Sequence, residues 1–482
     1  MAFIRRVKTA SGATAIQVVH KRYGRISKIE HIGSAHTDEE VTVLLSLARQ
    51  RMQDNQRTLF DDPEAEVTIG LQQSYSGLLL EVLRKQYNRL GFDTLHDSDF
   101  AYLCIARIVE PTSKLDSLRV LADLGIGDTS RDKLYRCLNR VIKKDYRKQI
   151  TTCCFQHAGR NGVSLLLYDV TTLYFEVQQE DDYRRPGMSK ERRLEPQIIV
   201  GLLVDQDGFP LSVNSFKGNT SETNTIVPVI EAFKQEHMVT TITVVADAAM
   251  LSKKNLEALE EAGYTYIVAS KLQKIPYDIA EYQKTDTLTD RQIITTNLTD
   301  KKRIIYQYRE KRAALDLKNI EKQIAKAEKI ITGERPPKKT KFLSVKTRKK
   351  QLNQKLIDKA KALAGIKGYV TNLTMADEKI IQYYHQLFQV EASFRMAKSD
   401  LKARPIFHHK QEAIEAHLTI VVAALAIGRT IERLSGLSLK QCVKTLRPIR
   451  NGTVVMNGKT YRADAIIPPS IVPLLKKLDA GH

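Results

Sequence analysis

Over the first 55 residues, apolar and polar positions alternate weakly, as in Ala15-Ile-Gln-Val-Val-His20, and Arg22-Tyr-Gly-Arg25 reads as a turn. Short strands are expected there. From about residue 70 to 160 the apolar spacing changes to steps of three and four. Leu78, Leu79, Val82, Leu83 and Tyr87 mark one helix, Phe100, Leu103, Cys104 and Ile108 a second, and Leu134, Leu138, Val141 and Ile142 a third. From residue 163 the texture turns to β. Val163-Ser-Leu-Leu-Leu-Tyr-Asp169 is an apolar run ending in a carboxylate, and Gln197-Ile-Ile-Val-Gly-Leu-Leu-Val204 is a second strand. The turn Asp205-Gln-Asp-Gly-Phe-Pro210 returns the chain through a third strand, Leu211 to Lys217. Asn219-Thr-Ser-Glu-Thr then offers caps for a helix through Ile226, Val229, Ile230 and Phe233. Thr241-Ile-Thr-Val-Val-Ala246 is a fourth strand that ends at Asp247. Ser252 caps a helix over 253–262, and Tyr264-Thr-Tyr-Ile-Val-Ala269 is a fifth strand.

Three antiparallel strands followed by α-β-α-β is the order of a ribonuclease H-like α/β core: a mixed five-stranded sheet with helices. Asp377 to Lys398 reads as one long helix closing this core, and Gln411–Leu434, almost wholly apolar in its middle, as a buried helix. Val454-Val-Met-Asn-Gly-Lys-Thr-Tyr461 is a hairpin about an Asn-Gly turn. The expected organisation is an N-terminal β-rich module (1–60) and a helical, DNA-binding module (61–160). The core follows in two parts (161–272 and 376–440), interrupted by a basic insertion with a helical hairpin (273–375), and a C-terminal segment (441–482) ends the chain. In the insertion, Leu317, Ile320, Ile324, Ala327 and Ile331 form a helical stripe that Gly333 and Pro336 end, and Val345, Leu352, Leu356 and Leu363 suggest a returning helix.

Charge adds a partner. Lys and Arg number 76 against 55 Asp and Glu, a formal net charge of +21. Residues 301–360 alone hold 20 Lys and Arg against 6 Asp and Glu, a local excess of +14. Such an excess calls for a polyanion. The insertion is therefore either a solvated helical hairpin or a basic arm laid along DNA. The longest purely apolar run, Ile420 to Gly428, is far short of a membrane span, and the first residues lack the apolar core of a signal peptide. No membrane partner and a cytoplasmic, nucleoid-associated location are expected. The five cysteines include no C-x-x-C pair, which argues against a disulfide framework or a zinc ribbon.

Asp169 ends the first core strand and Asp247 the fourth, neighbours in such a sheet, so both open at one edge. Glu391 on the closing helix can reach it. An Asp at a strand end is by itself more often a turn residue than a ligand; the joint placement is what argues for a site. Three carboxylates there can hold two divalent cations about 3.5–4 Å apart for phosphoryl transfer, and hard oxygens suit Mg²⁺ or Mn²⁺ better than zinc. Asp205 and Asp207 belong to the turn, and Glu176 falls beyond the edge. On a continuous helix, Tyr384, Leu387, Glu391, Arg395 and Lys398 lie within about 80° of one another. Either Glu391 and Arg395 form a solvated pair, or the face is functional. In the second case Glu391 holds metal, Arg395 and Lys398 grip phosphates, and Tyr384 bonds to or stacks beside a terminal phosphate. His408 and His409 point opposite ways on an extended segment with no third ligand spaced to help, so a surface or DNA-facing role is expected for them, not zinc.

At these residues the chain resembles the DDE transposases of bacterial insertion sequences, in the superfamily with a Y-x2-R-x3-E-x6-K signature. Tyr384-x2-Leu387-x3-Glu391-x6-Lys398 matches three of its four positions. Leu165-Leu-Leu-Tyr-Asp-Val-Thr-Thr172, Phe216-Lys-Gly-Asn-Thr-Ser-Glu222, Val244-Val-Ala-Asp-Ala-Ala249 and Phe394-Arg-Met-Ala-Lys-Ser-Asp-Leu401 are similar to the family's blocks, in the same order. The resemblance implies that Asp169, Asp247 and Glu391 are the catalytic, metal-binding triad and that Mg²⁺ is the cofactor. It also implies double-stranded DNA as partner, at element ends and target, and a homodimer in the end-paired complex. The reaction implied is cleavage of the ends followed by strand transfer. Leu387 stands where the signature has Arg, so that interaction is missing or supplied by Arg395. The chain has no Trp, so an aromatic wedge for a flipped base would be Tyr or Phe, and hairpin against hydrolytic second-strand cleavage stays open. Two other readings are a ribonuclease H-fold nuclease that only hydrolyses and a transposase-derived DNA-binding protein that no longer cuts.

Overall fold

The computed structural model describes residues 2–9, 12–22, 25–53, 69–159, 165–175, 180–187, 195–239, 242–248, 252–270, 276–285, 287–299, 301–334, 336, 340–346, 349–404, 406, 408–456 and 458–479. Glu176 lies outside them.

The N-terminal strands β1 (Ala2–Lys8), β2 (Thr14–Arg22) and β3 (Arg25–Ala35) form an antiparallel sheet in that order. The all-strand expectation fails at α1 (Asp38–Gln53). A capping box starts this helix: Glu40 N–H donates to Thr37 Oγ1 and Thr37 N–H to Glu40 Oε2, each at 3.3 Å. Leu44 and Ala48, one turn apart, then bury against Ile16, Val18 and Ala35. The short apolar run Val41-Thr-Val-Leu-Leu imitates a strand, and the cap decides against it.

After β4 (Ile69–Tyr75) come the helices α2 (Gly77–Arg89), α3 (Ser98–Val109) and α5 (Arg131–Lys143), the three that the periodicity predicts, together with α4 (Ser117–Asp123) and α6 (Tyr146–Gly159). Asp97 caps α3 by accepting from Phe100 N–H at 3.1 Å, and also accepts from Arg140 Nε at 2.7 Å and Tyr146 Oη at 2.8 Å. One carboxylate thus ties the starts of α3 and α6 to α5.

The core sheet is wider than expected. Its strands are β5 (Leu165–Tyr174), β6 (Gln197–Val204), β7 (Pro210–Lys217), β8 (Thr243–Ala246) and β9 (Thr265–Ser270), joined by β10 (Ile293–Thr299), β11 (Lys302–Tyr308) and β14 (Ile366–Thr371). The order β10-β11-β14-β9-β8-β5-β6-β7 makes eight strands instead of five. The β7-β6-β5-β8-β9 part, with β5, β8 and β9 parallel and β6 antiparallel to β5, keeps the order of a ribonuclease H-like core. The crossover helices α7 (Ile226–His237) and α8 (Lys253–Glu261) join β7 to β8 and β8 to β9, and Ser252 caps α8. The insertion therefore extends the sheet. β14 pairs antiparallel with both β9 and β11 because its alternate residues are apolar enough to bury.

The rest of the insertion holds α9 (Tyr277–Thr285), α10 (Glu310–Ile331), the hairpin β12 (Leu343–Lys346) and β13 (Lys349–Leu352), and α11 (Gln354–Ala362). The returning helix is thus half hairpin, half helix, and Ile320, Phe342 and Ile357 form its small core. The closing helix is also divided, into α12 (Asp377–His385), α13 (Phe388–Arg395) and a π-helical turn, Met396–Asp400. Next comes α14 (Gln411–Ser435), long and apolar enough to cross a membrane by composition, yet packed inside the protein against α3, α5, α6 and β7. The chain continues through α15 (Leu439–Leu446), the hairpin β15 (Asn451–Met456) and β16 (Lys459–Ala463), and α16 (Val472–Asp479). β15 also pairs with β4, and Arg447 and Arg450 bond Asp123 of α4, so the C-terminal segment closes on the helical region.

Candidate active site

The strands β5 and β8 run parallel, with Leu165, Leu166 and Leu167 opposite Thr243, Val244 and Val245. Asp169 and Asp247 each lie two residues beyond the last paired residues, Leu167 and Val245. Asp247 follows the last residue of β8 as expected, whereas β5 runs on to Tyr174, so Asp169 sits within its strand and does not end it. Each carboxylate is oriented by the next amide of its own chain: Val170 N–H donates to Asp169 Oδ1 at 2.8 Å and Ala248 N–H to Asp247 Oδ1 at 2.6 Å. Further along the face of β5 that Asp169 occupies, Thr171 and Leu173 meet Phe394 of α13, Ala397 and Lys398 of the π turn, and α14. The face of β5 that bears Asp169 is thus the one the closing helices cover.

The closing helices do not present the continuous polar line that one straight helix would. At their junction, Leu387 N–H bonds Tyr384 O at 3.0 Å and Gln389 N–H bonds Gln386 O at 2.8 Å, tight three-residue steps that re-aim the chain. Leu387 turns inward and is buried, and so is Tyr384, at 5% exposure. Glu391 and Arg395 are exposed, and among the described residues no ion pair joins them. The half-buried Lys398 donates to Thr171 Oγ1, two residues from Asp169.

Lys367 of β14 belongs to this edge, although nothing in the sequence pattern points to it. Its Nζ stands 4.2 Å from the centre of the Tyr384 ring and 5.6 Å from that of Tyr369. Burial lowers its pKa, Arg312 of α10 lowers it further, and Asp247 and Glu391 oppose that shift. Burial raises the Tyr384 phenol, and the same two carboxylates add to the rise. Asp247, Glu391, Lys367 and Tyr384 therefore share one electrostatic neighbourhood, and α10 begins beside it. A single Lys inside an apolar hexapeptide gives no signal of this in the sequence.

Residues 161–427 match the transposase DDE domain family, more than half of the chain and every element just described. The chain belongs to the DDE transposase family. It is similar to a solved piggyBac transposase synaptic complex with hairpin DNA, at 10% identity over 77% of this chain and 76% of that one, with a TM-score of 0.42. It is also similar to a Mos1 transposase paired-end complex with its left transposon end, at 11% identity over 47% and 66%, with a TM-score of 0.16. No curated protein matches it.

In this transposase the donor set at the edge is all carboxylate, the chemistry that suits a hard divalent cation. As the side chains stand, no three His, Cys, Asp or Glu among the described residues are gathered into one metal-holding cluster. Asp169 and Asp247 lie on adjoining strands, while Glu391 is exposed on α13, the helix packed on β5. Asp205 is a turn residue, with Oδ1 accepting from Asp207 N–H at 2.9 Å and Phe209 N–H at 2.8 Å. The two adjacent histidines part: His408 Nε2 faces Lys114 Nζ at 2.8 Å, and His409 Nδ1 lies 3.4 Å from Arg184 Nη1.

Proposed function

We propose that this DDE transposase cuts the ends of a DNA element to expose 3′-hydroxyls and joins them to target DNA by in-line phosphoryl transfer. Asp169, Asp247 and Glu391 act as the ligands of Mg²⁺ or Mn²⁺. The observation that supports this reading is that Asp169 and Asp247 stand two residues beyond the last paired residues of the parallel strands β5 and β8, with α13 packed on β5. A divalent cation bound by these carboxylates would make the attacking water or hydroxyl more acidic and stabilise the leaving oxygen.

The chain's own groups do the positioning. Lys398 holds a phosphate oxygen beside Asp169 by exchanging its bond to Thr171, and Arg395, one turn beyond Glu391, takes the place of the arginine that the signature has at Leu387. The buried Lys367–Tyr384 stack forms the back wall and partly neutralises Asp247 and Glu391 before DNA arrives. The basic helix α10 leads the duplex away from this edge. Two element ends need two such sites, so the working unit is a homodimer.

The test is incubation of the protein and Mg²⁺ with a labelled duplex carrying the DNA that flanks the reading frame, together with a target plasmid. Labelled ends joined to the plasmid are expected. Cut but unjoined ends would reduce the protein to a hydrolytic nuclease, and bound but uncut DNA to a DNA-binding protein.

A further inference from the structure

Two buried cations stand together beneath α14 without an acid to answer them. Arg107 of α3 donates from Nη1 to Leu401 O and Lys402 O, at 3.4 and 3.3 Å, and its Nη2 lies 3.4 Å from His417 Nδ1. Lys114, between α3 and α4, is 8% exposed, with Nζ 2.8 Å from His408 Nε2 and 3.3 Å from His417 Nδ1. Elsewhere the chain pairs its buried guanidinium groups: Arg447 with Glu110 and Asp123, Arg184 with Asp181. Among the described residues no carboxylate pairs with Arg107 or Lys114.

The protonation pattern follows from the geometry. An ammonium only donates, so His408 Nε2 accepts from Lys114, and the ring carries its proton on Nδ1. His417 Nε2 donates to Ala403 O at 3.1 Å, leaving Nδ1 as the acceptor shared by Arg107 and Lys114. Both imidazoles are thus neutral. Burial, with Lys114 and Arg107 adding to it and His409 contributing, pushes His408 down to about 3. Among the described residues, only imidazoles and carbonyls surround the two basic groups, and burial, with Arg107 adding to it, lowers the Lys114 pKa well below its ordinary value, a shift that an incoming anion would oppose.

A path to solvent exists. His408 is half-buried and lines a groove of about 890 Å³ between α5 and residues 408–413. Arg136 and Lys143 on α5 and Lys410 opposite supply charge, against Asp132 and Glu412. Tyr135 of α5 is 44% exposed along the same wall. The groove also has a fixed relation to the carboxylate edge, because Ile406 bridges to Phe175 at the far end of β5. Six residues of strand from Asp169 to Phe175 span about 20 Å, or about six base steps at 3.4 Å each.

We propose that this cluster is a phosphate-binding site at the floor of a DNA groove. A backbone phosphate accepts from His408 Nδ1–H, and its charge offsets Lys114 and Arg107 behind the ring. The site deepens the reading as a transposase by naming a surface that holds the duplex away from the cut.

The test uses the full chain, a duplex of about 30 base pairs and the variants His408→Ala and Lys114→Met. His408→Ala is expected to weaken duplex binding about tenfold. Lys114→Met should weaken binding similarly and reduce the salt slope by about one, with a melting temperature at or above that of the native chain. Cleavage at saturating DNA should remain in both, whereas loss of the carboxylate triad abolishes cleavage and leaves affinity and salt slope intact, so the two readings fail separately. Unchanged affinity in a folded His408→Ala, or unchanged affinity and slope in Lys114→Met, would overturn the proposal. So would stabilisation by inorganic phosphate that His408→Ala removes while duplex binding is unaffected, since the site would then take the free anion.

Discussion

Single carboxylates in this chain owe their roles to their surroundings. Asp97 caps α3 and pairs with Arg140 and Tyr146, its side chain only 5% exposed. Burial opposes its ionisation, yet Arg140 and Tyr146 still hold the carboxyl below its ordinary value. Asp97→Ala leaves Arg140 without its main partner and should cost about 3–5 kcal/mol in a urea titration. Because the folded pKa is depressed, that stabilisation is present at neutral pH and lost as pH falls below the ordinary carboxylate range. Asp205 is the reverse case. Burial pushes it up to about 6 despite two amide donors, so its ionisation works against the fold. Stability should fall as pH rises from about 4 to 6, and Asp205→Asn should flatten that part of the pH–stability curve. Asp205 is visible in the sequence as a turn residue, whereas the capping role of Asp97 emerges only from the structure. Their opposite electrostatics depend on partners 40 residues away for Asp97, and on the depth of the turn for Asp205.

Whole elements were legible where one period ran unbroken to a clear stop. The apolar runs before Asp169 and Asp247 announced β5 and β8, and α14 is apolar on every side, so their existence could be read directly, although β5 runs on past Asp169 to Tyr174. The helix α1 was hidden because Val41-Thr-Val-Leu-Leu suits a strand locally, and only its capping box and tertiary packing favour the helix. β14 was hidden by its setting, six residues behind a strongly basic run, although Ile366, Tyr369 and Val370 are buried. The division of α12 from α13 had no proline or glycine to announce it. The turn that follows depends on close packing: a Cβ on Gly428 of α14 would lie 2.8 Å from Met396 Sδ and 3.0 Å from Leu439 Cδ2. Gly428→Val should destabilise the protein by about 1–3 kcal/mol through overpacking. It should also slow DNA cleavage, because Met396 shares its turn with Lys398. Thermal melting and a nicking assay on the same sample check both effects.

At the scale of the molecule, an excess of +14 within the net charge of +21 falls in residues 301–360, which include α10. Arg312, in the first turn of α10, acts on Lys367 and Tyr384 beside the carboxylates, while Lys318, Lys322, Lys326 and Lys329 are exposed along the rest of that helix. Changing these four lysines to Gln should lower the slope of log affinity against log salt by up to about 3–4, because each phosphate left unneutralised removes about 0.9. An unchanged slope would leave α10 a solvated helix. The central claim is that Asp169, Asp247 and Glu391 act together as metal ligands for cutting DNA. Its most direct test is Mg²⁺-dependent cleavage of element-end DNA by Asp169→Ala, Asp247→Ala and Glu391→Ala beside the native chain. Each variant should bind the ends nearly as well as the native chain and cut them below detection. Metal-dependent cutting that survives in any one of the three, with the fold intact, would contradict the account.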